Sequence, residues 1–422
     1  MNTTVGTRGS QILINNQPVY SEIPGVNPNV LGLLFNQRLI QGVFDDKTDP
    51  RRFDDLFGNG RFDPEANTDN LVRALPAWYA YGLRAITVGF QGGWPVGHVD
   101  VREIDNNPFG TDGQSLDPAY ARRMDRIIRA ADALGMVVIV SLLYWAQSRQ
   151  LRDGRAIQAA IRTGARFIRD NGYTNVILEI ANEYNISGFK DHPLVHEPEG
   201  MVSLIDLARE QSGGLLVGSS GGGGMADEAV VKASDIVLIH GNGQSAGHYY
   251  DFVSRVKSWA PDRPIVCNED SPCCTRVDVA LDTGTSWGYY NNYTKQIPPA
   301  DYAVTPGEDL FFARRVARAV GIPVTPLPRD EQFVLQGLEP QTAFGHKRVI
   351  RLAAEFPEQI HKVVFYQDNR LVYTSYDEPF FYRREATWLG TPWHVDPAVR
   401  VWAAVVHLAD GTKIVKTAKS PG

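Results

Sequence analysis

The sequence predicts an α/β fold, a (β/α)8 TIM barrel followed by an all-β immunoglobulin-like sandwich, on three observations. Apolar strand-length runs alternate with helical periods through roughly the first 300 residues. Two of those runs end in a glutamate, Glu183 and Glu269. Three prolines between Pro323 and Pro328 then give way to short strand-like segments separated by turn residues. The expected division is a barrel with an N-terminal hairpin over 1–322, a linker over 323–340 and the sandwich over 341–422.

The elements follow in order. Gln11 to Tyr20 holds two short apolar runs around Asn15-Asn16, a hairpin that caps one end of the barrel. Arg38 to Asp46 is read as strand one and Asn67 to Tyr81 as the helix after it; Arg84 to Phe90 is strand two, opening onto Gly92-Gly93-Trp94-Pro95. Asp117-Pro118 starts a helix with proline at its first position, and Met124, Ile127, Ile128 and Ala131 share one face. Met136 to Leu143 is strand three, ending in Tyr144-Trp145, and Ala156 to Asp170 is the next helix. Strand four runs from Val176 into Asn182-Glu183. Leu215 to Ser220 before four glycines, Asp235 to His240, Pro264 to Asp270 and a short run at Thr285 to Tyr289 supply strands five to eight. Glu308 to Val320 is the last helix. Beyond the prolines, runs at Val349, Lys362, Arg370 and Val401 read as a small sandwich, a buttress or spacer.

Size and charge exclude several functions. With 422 residues and 43% hydrophobic content the chain can bury a large core, plus a smaller second domain. A net charge of −6 with both signs interspersed offers no basic stripe for nucleic acid or an anionic membrane. There is no bilayer-length apolar run, and the opening residues lack the regions of a signal peptide. Cys267, Cys273 and Cys274 cannot form a disulfide framework; the adjacent pair is expected as two free thiols. No His-x-His occurs, which counts against a metal-dependent hydrolase; no cofactor is expected.

The chemistry is carried by Glu183 and Glu269, each on the face of its own strand's core residues by alternation. Barrels present their reactive groups at the carboxyl ends of strands. A glycosidic oxygen leaves poorly until protonated, and the anomeric carbon becomes cationic, so one carboxyl must give a proton while the other stays ionised.

Glu179-Ile180-Ala181-Asn182-Glu183 on strand four, with Glu269 ending strand seven, resembles the retaining glycoside hydrolases of clan A, the cellulase-like, family 5-like group. The resemblance covers about the first 320 residues. It implies a β-linked polysaccharide or oligosaccharide as substrate, an extracellular or periplasmic protein, Glu183 as acid/base and Glu269 as nucleophile. It implies Asn182 as the partner of a sugar 2-hydroxyl, His240 at the end of strand six, and Trp287 as the floor under the sugar. Tyr184 departs from the proline usual there, and strand three lacks the usual histidine. Gly241-Asn242-Gly243 stands where a tyrosine bonding the nucleophile is common, with Tyr249 and Tyr289 as the candidates to replace it.

Further expectations come from position alone. Trp94 and Trp145 follow strands two and three as outer subsites, or as core; Asp45 and Asp46 end strand one beside sugar hydroxyls, or cap a loop. Glu179 is expected as a structural carboxylate inside the barrel. Arg149, Arg152 and Arg155 either hold an acidic sugar or form a solvated face. Two rival readings are a sugar-binding barrel without activity and a metal-dependent barrel hydrolase.

Overall fold

The computed structural model describes all residues except 57–59, 96–98, 340–342, 345–346, 387 and 422, with 343–344 described by backbone alone. Three short antiparallel strands, Val5–Arg8, Gln11–Ile14 and Gln17–Pro18, open the chain. Asn15 and Asn16 make the expected turn in the left-handed region, at φ 52° and 63°, a conformation that asparagine tolerates better than most residues. Ile12, Val19 and Tyr20 join the main core. The Val5 N–H donates to Thr174 O at 2.9 Å, so this sheet sits at the amino end of the central strands, away from Glu183.

Six parallel strands form one sheet in the order Gly288–Tyr289, Asn36–Arg38, Ala85–Gly89, Val137–Tyr144, Val176–Asn182 and Leu216–Gly218. Val237–His240 and Ile265–Glu269 form a second, two-stranded parallel sheet. The expected closed barrel ladder is therefore interrupted twice among the described residues. The Asp235 N–H to Val217 O bond of 2.9 Å bridges the first gap, and a single Val266–Ser286 bridge spans the second. The physical reason is strand length: the fifth strand has three residues and the eighth only two, too few to carry a ladder on both edges.

Local chemistry explains the long elements. Val137–Tyr144 is buried at every position, as a strand covered on both faces must be. Helix Pro118–Leu134 starts on Asp117, whose carboxylate accepts from the Ala119 N–H, and stops at Gly135 with φ 78°. The first strand is a correction, because it ends at Arg38 instead of starting there. Leu39, Ile40, Val43 and Phe44 are buried in turns closed by bonds such as Gly42 N–H to Leu39 O, and their apolar run reflects loop burial. Helices Pro64–Ala80, Gly154–Asp170 and Glu308–Val320 lie where expected within a few residues at each end, and helix Ala246–Trp259 follows strand six.

The C-terminal part is all-β, with a four-stranded antiparallel sheet ordered Arg370–Ser375, Ile360–Gln367, Val401–Leu408, Lys413–Lys419. Trp402, Ala404, Val406 and Leu408 point alternately inward to its core. Residues 323–340, read above as a linker, contain the strand Phe333–Gln336, which pairs with Arg351–Ala354. Helix Glu308–Val320 anchors this part by buried ion pairs: Arg351 to Glu308 at 2.6 Å and Arg314 to Glu355 at 2.5 Å. Among the described residues no helix is long and apolar enough to cross a membrane.

Candidate active site

The carboxyl ends of strands one, four, six and seven meet around two glutamates. Carboxylate oxygens of Glu183 and Glu269 and a ring nitrogen of His240 lie within 4.8 Å of one another. His240 Nδ1 is 3.1 Å from Glu183 Oε1 and 3.8 Å from Glu269 Oε2. Burial opposes a charge on this imidazole, but the Glu269 carboxylate and the bond to Glu183 outweigh it and raise its pKa above the ordinary 6.5.

The two carboxylates differ in what holds them. The Arg38 guanidinium lies 2.8 Å from Glu269 Oε2, and Asn242 Nδ2 donates to Oε1 at 2.6 Å. A second Arg38 nitrogen donates to Asn182 Oδ1. Both oxygens of Glu269 are thus occupied, and 11% of its side chain is exposed. Glu183 has 20% exposed and bonds through its side chain to His240. Glu183 is the group open to an incoming molecule.

Strand alternation alone puts Asn182 and Glu183 on opposite faces. The structure brings both to the site because Glu183 sits at φ 56°, where the chain turns out of the strand. A left-handed conformation at a non-glycine residue costs about 1–3 kcal/mol and persists only when its surroundings impose it. Here the imposing groups lie on the glycine-rich segment: Ser220 Oγ accepts the Glu183 N–H at 3.2 Å, and Ser220 O accepts the Tyr184 N–H at 3.0 Å. Tyr184, where proline was the familiar residue, donates its hydroxyl to Asp227 at 2.6 Å and so ties the turn down.

Two tyrosines complete the surroundings. Tyr144 ends strand three beside Glu183 and Glu269, and the Arg38 guanidinium lies 5.2 Å from the centroid of the Tyr290 ring. Burial holds both phenols in their protonated form, well above the usual range. Gly241 keeps the loop after strand six close, since a Cβ there would stand 2.2 Å from Asp270 Oδ2.

The remaining expected residues are placed as follows. Trp287 and Tyr289 are wholly buried against Phe312, with the indole N–H on Asp270 at 2.9 Å and the phenol on Asp309 at 3.0 Å; neither ring has exposed surface. Tyr249 lies by Cys267, with no bond to Glu269. Asp46 is buried, pairs with Arg52 at 2.7 Å and caps the Thr48 N–H, which is the loop-capping alternative. Trp94 and Trp145 are half-buried and pack beside Tyr144. Arg149, Arg152 and Arg155 are exposed, and Cys273 and Cys274 are free and buried.

Arg38, Asn242, Tyr144 and Tyr290 were missed as site residues. Asn242 had a signal, an amide between two glycines just past strand six. Arg38 had the signal of a charge at the end of a short strand, hidden by placing that strand a few residues late. Glu183, His240 and Glu269 also have the donor types of a cation site. Arg38 already supplies a positive charge to Glu269 there, so an ion bound by all three would have to displace it or share the carboxylate.

No family model and no curated protein matches the chain. Similar solved structures include a β-glucuronidase from Parabacteroides merdae, at 10% identity and TM-score 0.46, covering 99% of this chain and 50% of that one. An endo-β-1,4-mannanase from Thermotoga petrophila is 12% identical at TM-score 0.46, covering 92% of this chain and 97% of that one. A putative β-galactosidase from Bacteroides fragilis is 12% identical at TM-score 0.45, covering 99% and 57%. The chain thus spans about half the length of the glucuronidase it matches.

Proposed function

We propose that the chain is a retaining β-glycoside hydrolase, its eight parallel strands acting as a (β/α)8 barrel that presents Glu183 and Glu269 to one sugar. The observation that carries this reading is the spacing of the pair, with oxygens within 4.8 Å. Retaining glycosidases hold their carboxyl groups about 5–5.5 Å apart, whereas inverting ones leave room for a water at about 6.5–9.5 Å. The asymmetry of the environments supports the division of labour. Glu269, gripped at both oxygens by Arg38 and Asn242, is suited to attack as a carboxylate; Glu183, more exposed, is suited to exchange a proton with the leaving group and then with water.

In the first step a Glu269 oxygen bonds to the anomeric carbon, the glycosidic C–O bond breaks, and the Glu183 proton goes to the departing oxygen. In the second, water attacks the same carbon, its proton passes to Glu183, and the ester to Glu269 is released. Asn182 and Arg38 flank the attacking group. Trp94 and Trp145 are the aromatic surface for adjacent sugars, and the all-β C-terminal part is a buttress.

The test is chemical. Glu269→Gly should lose turnover on the β-glycosides that the wild type cleaves, and azide should restore it by giving an α-glycosyl azide from an activated substrate. Glu183→Ala with azide should instead give the β-azide, because the nucleophile is intact. A Glu269→Gly protein that keeps wild-type turnover excludes this mechanism. The metal-dependent alternative is favoured only by the Glu183, His240, Glu269 grouping; activity abolished by a chelator and restored by a divalent ion would select it.

A further inference from the structure

A third carboxylate, Glu179, lies beneath the pair, and the double displacement makes no use of it. It is wholly buried. Its Oε1 accepts from Ser220 Oγ at 2.7 Å and from Asn268 Nδ2 at 3.1 Å, while Oε2 has no protein partner. A serine hydroxyl has one proton. Because Ser220 gives that proton to Glu179, its lone pairs are left facing the Glu183 N–H, which donates to the same Oγ at 3.2 Å. The Tyr184 N–H is held by the Ser220 carbonyl at 3.0 Å. One serine therefore grips the main chain at Glu183 and at Tyr184 after it, and Glu179 sets the direction of its hydroxyl. Asn268, the other donor to Glu179, directly precedes Glu269. Glu179 also contributes to the electrostatic environment of Arg38, the residue paired with Glu269.

We infer that Glu179 is a positioning residue: through Ser220 it holds Glu183 in its left-handed turn, and through Asn268 it braces the strand that carries Glu269. The spacing of the two glutamates is thereby set from below by a single buried acceptor. Its catalytic meaning rests on the glycosidase reading, but the brace itself is a claim about geometry and is tested separately.

The first measurement is a crystal structure of Ser220→Ala. Glu183 is expected to leave the left-handed region, or its carboxylate to leave His240; an unchanged turn and an unchanged His240 contact overturn the inference whatever the enzyme's activity. The second uses aryl β-glycosides that differ in leaving group. A dinitrophenol departs without a proton, whereas phenol needs one from Glu183. Misplacing that acid in Ser220→Ala should lower kcat/KM for the phenyl glycoside about a hundredfold while sparing the dinitrophenyl one; Glu179→Leu, which removes the acceptor of both Ser220 and Asn268, should lower it on both substrates and further on the phenyl glycoside.

Equal losses on both substrates in Ser220→Ala would show general damage to the fold and overturn the inference. On the phenyl glycoside the double variant should lose less than the two single losses combined, since both changes break the Glu179–Ser220–Glu183 chain; fully additive losses count against it. Failure of the glycosidase reading looks different: Glu269→Gly would keep full activity while the Glu183 turn still depended on Ser220.

Discussion

At Arg38 one guanidinium reaches both Glu269 and Asn182 from a position 2% exposed. Burial opposes its charge, but Glu269 together with Tyr290, Glu179 and Glu183 outweighs that cost and pushes its pKa up. Lysine offers a single point charge on a flexible stem and cannot span the two partners. Arg38→Lys should therefore lower kcat by about a hundredfold with a smaller change in KM, as expected when an attacking group is misplaced. Steady-state kinetics on any substrate of the wild type would check this, and an unchanged kcat would remove Arg38 from the site. Glu183 and Glu269 were legible in the sequence because a carboxylate directly past an apolar run is conspicuous. Trp287 and Tyr289 were legible as aromatic strand ends, but which side of a two-residue strand faces solvent depends on Phe312, on a helix more than 20 residues later.

Among elements, helix Glu308–Val320 is the most informative. Its amphipathic spacing made it visible in advance, yet its polar face is not solvated. Glu308 and Arg314 are buried against the C-terminal part, with Arg351 holding both Glu308 oxygens at 2.6 Å, and the buried Arg315 pairs with Asp278 and Glu358. Removing one partner of such a pair strands the other charge in the interior, at about 3–5 kcal/mol. Arg351→Ala should lose that much in denaturant-induced unfolding, and Arg351→Met with Glu308→Leu should recover most of it. A loss below about 1 kcal/mol in the single variant would mean that Glu308 finds another donor or becomes protonated. The segment after Arg38 was misread for the converse reason, since buried loops and strands share a composition when both pack on helices.

Across the whole molecule, Glu378 links the two parts. It projects from the C-terminal part into the loop after strand seven, where Thr275 Oγ1 donates to it at 2.6 Å. It lines a cavity of about 400 Å³ with Arg276, Gln244 and Tyr376. Burial raises its pKa from 4.5 to about 7, with Thr275 and Arg276 opposing the rise. A raised carboxylate binds its proton more tightly in the folded state, so its contribution is complete below pH 4.5 and is lost as pH rises through about 7. The full shift corresponds to roughly 3 kcal/mol. Glu378→Gln should accordingly melt higher than the wild type at pH 8 and match it near pH 5. Thermal unfolding at the two pH values reads this directly, and an equal displacement at both would assign the effect to packing.

Alternation, capping and turn residues are local properties, so the sequence by itself determined the order of strands and helices, the change to an all-β C-terminal part and the two glutamates at strand ends. Three things were decided only in three dimensions: Glu183 turning to φ 56°, Arg38 and Asn242 closing on Glu269, and the interruption of the strand ring. Each depends on which distant groups compete for the same donors and acceptors. Residues 144 positions apart, as Arg38 and Asn182 are, leave no periodic trace of having met.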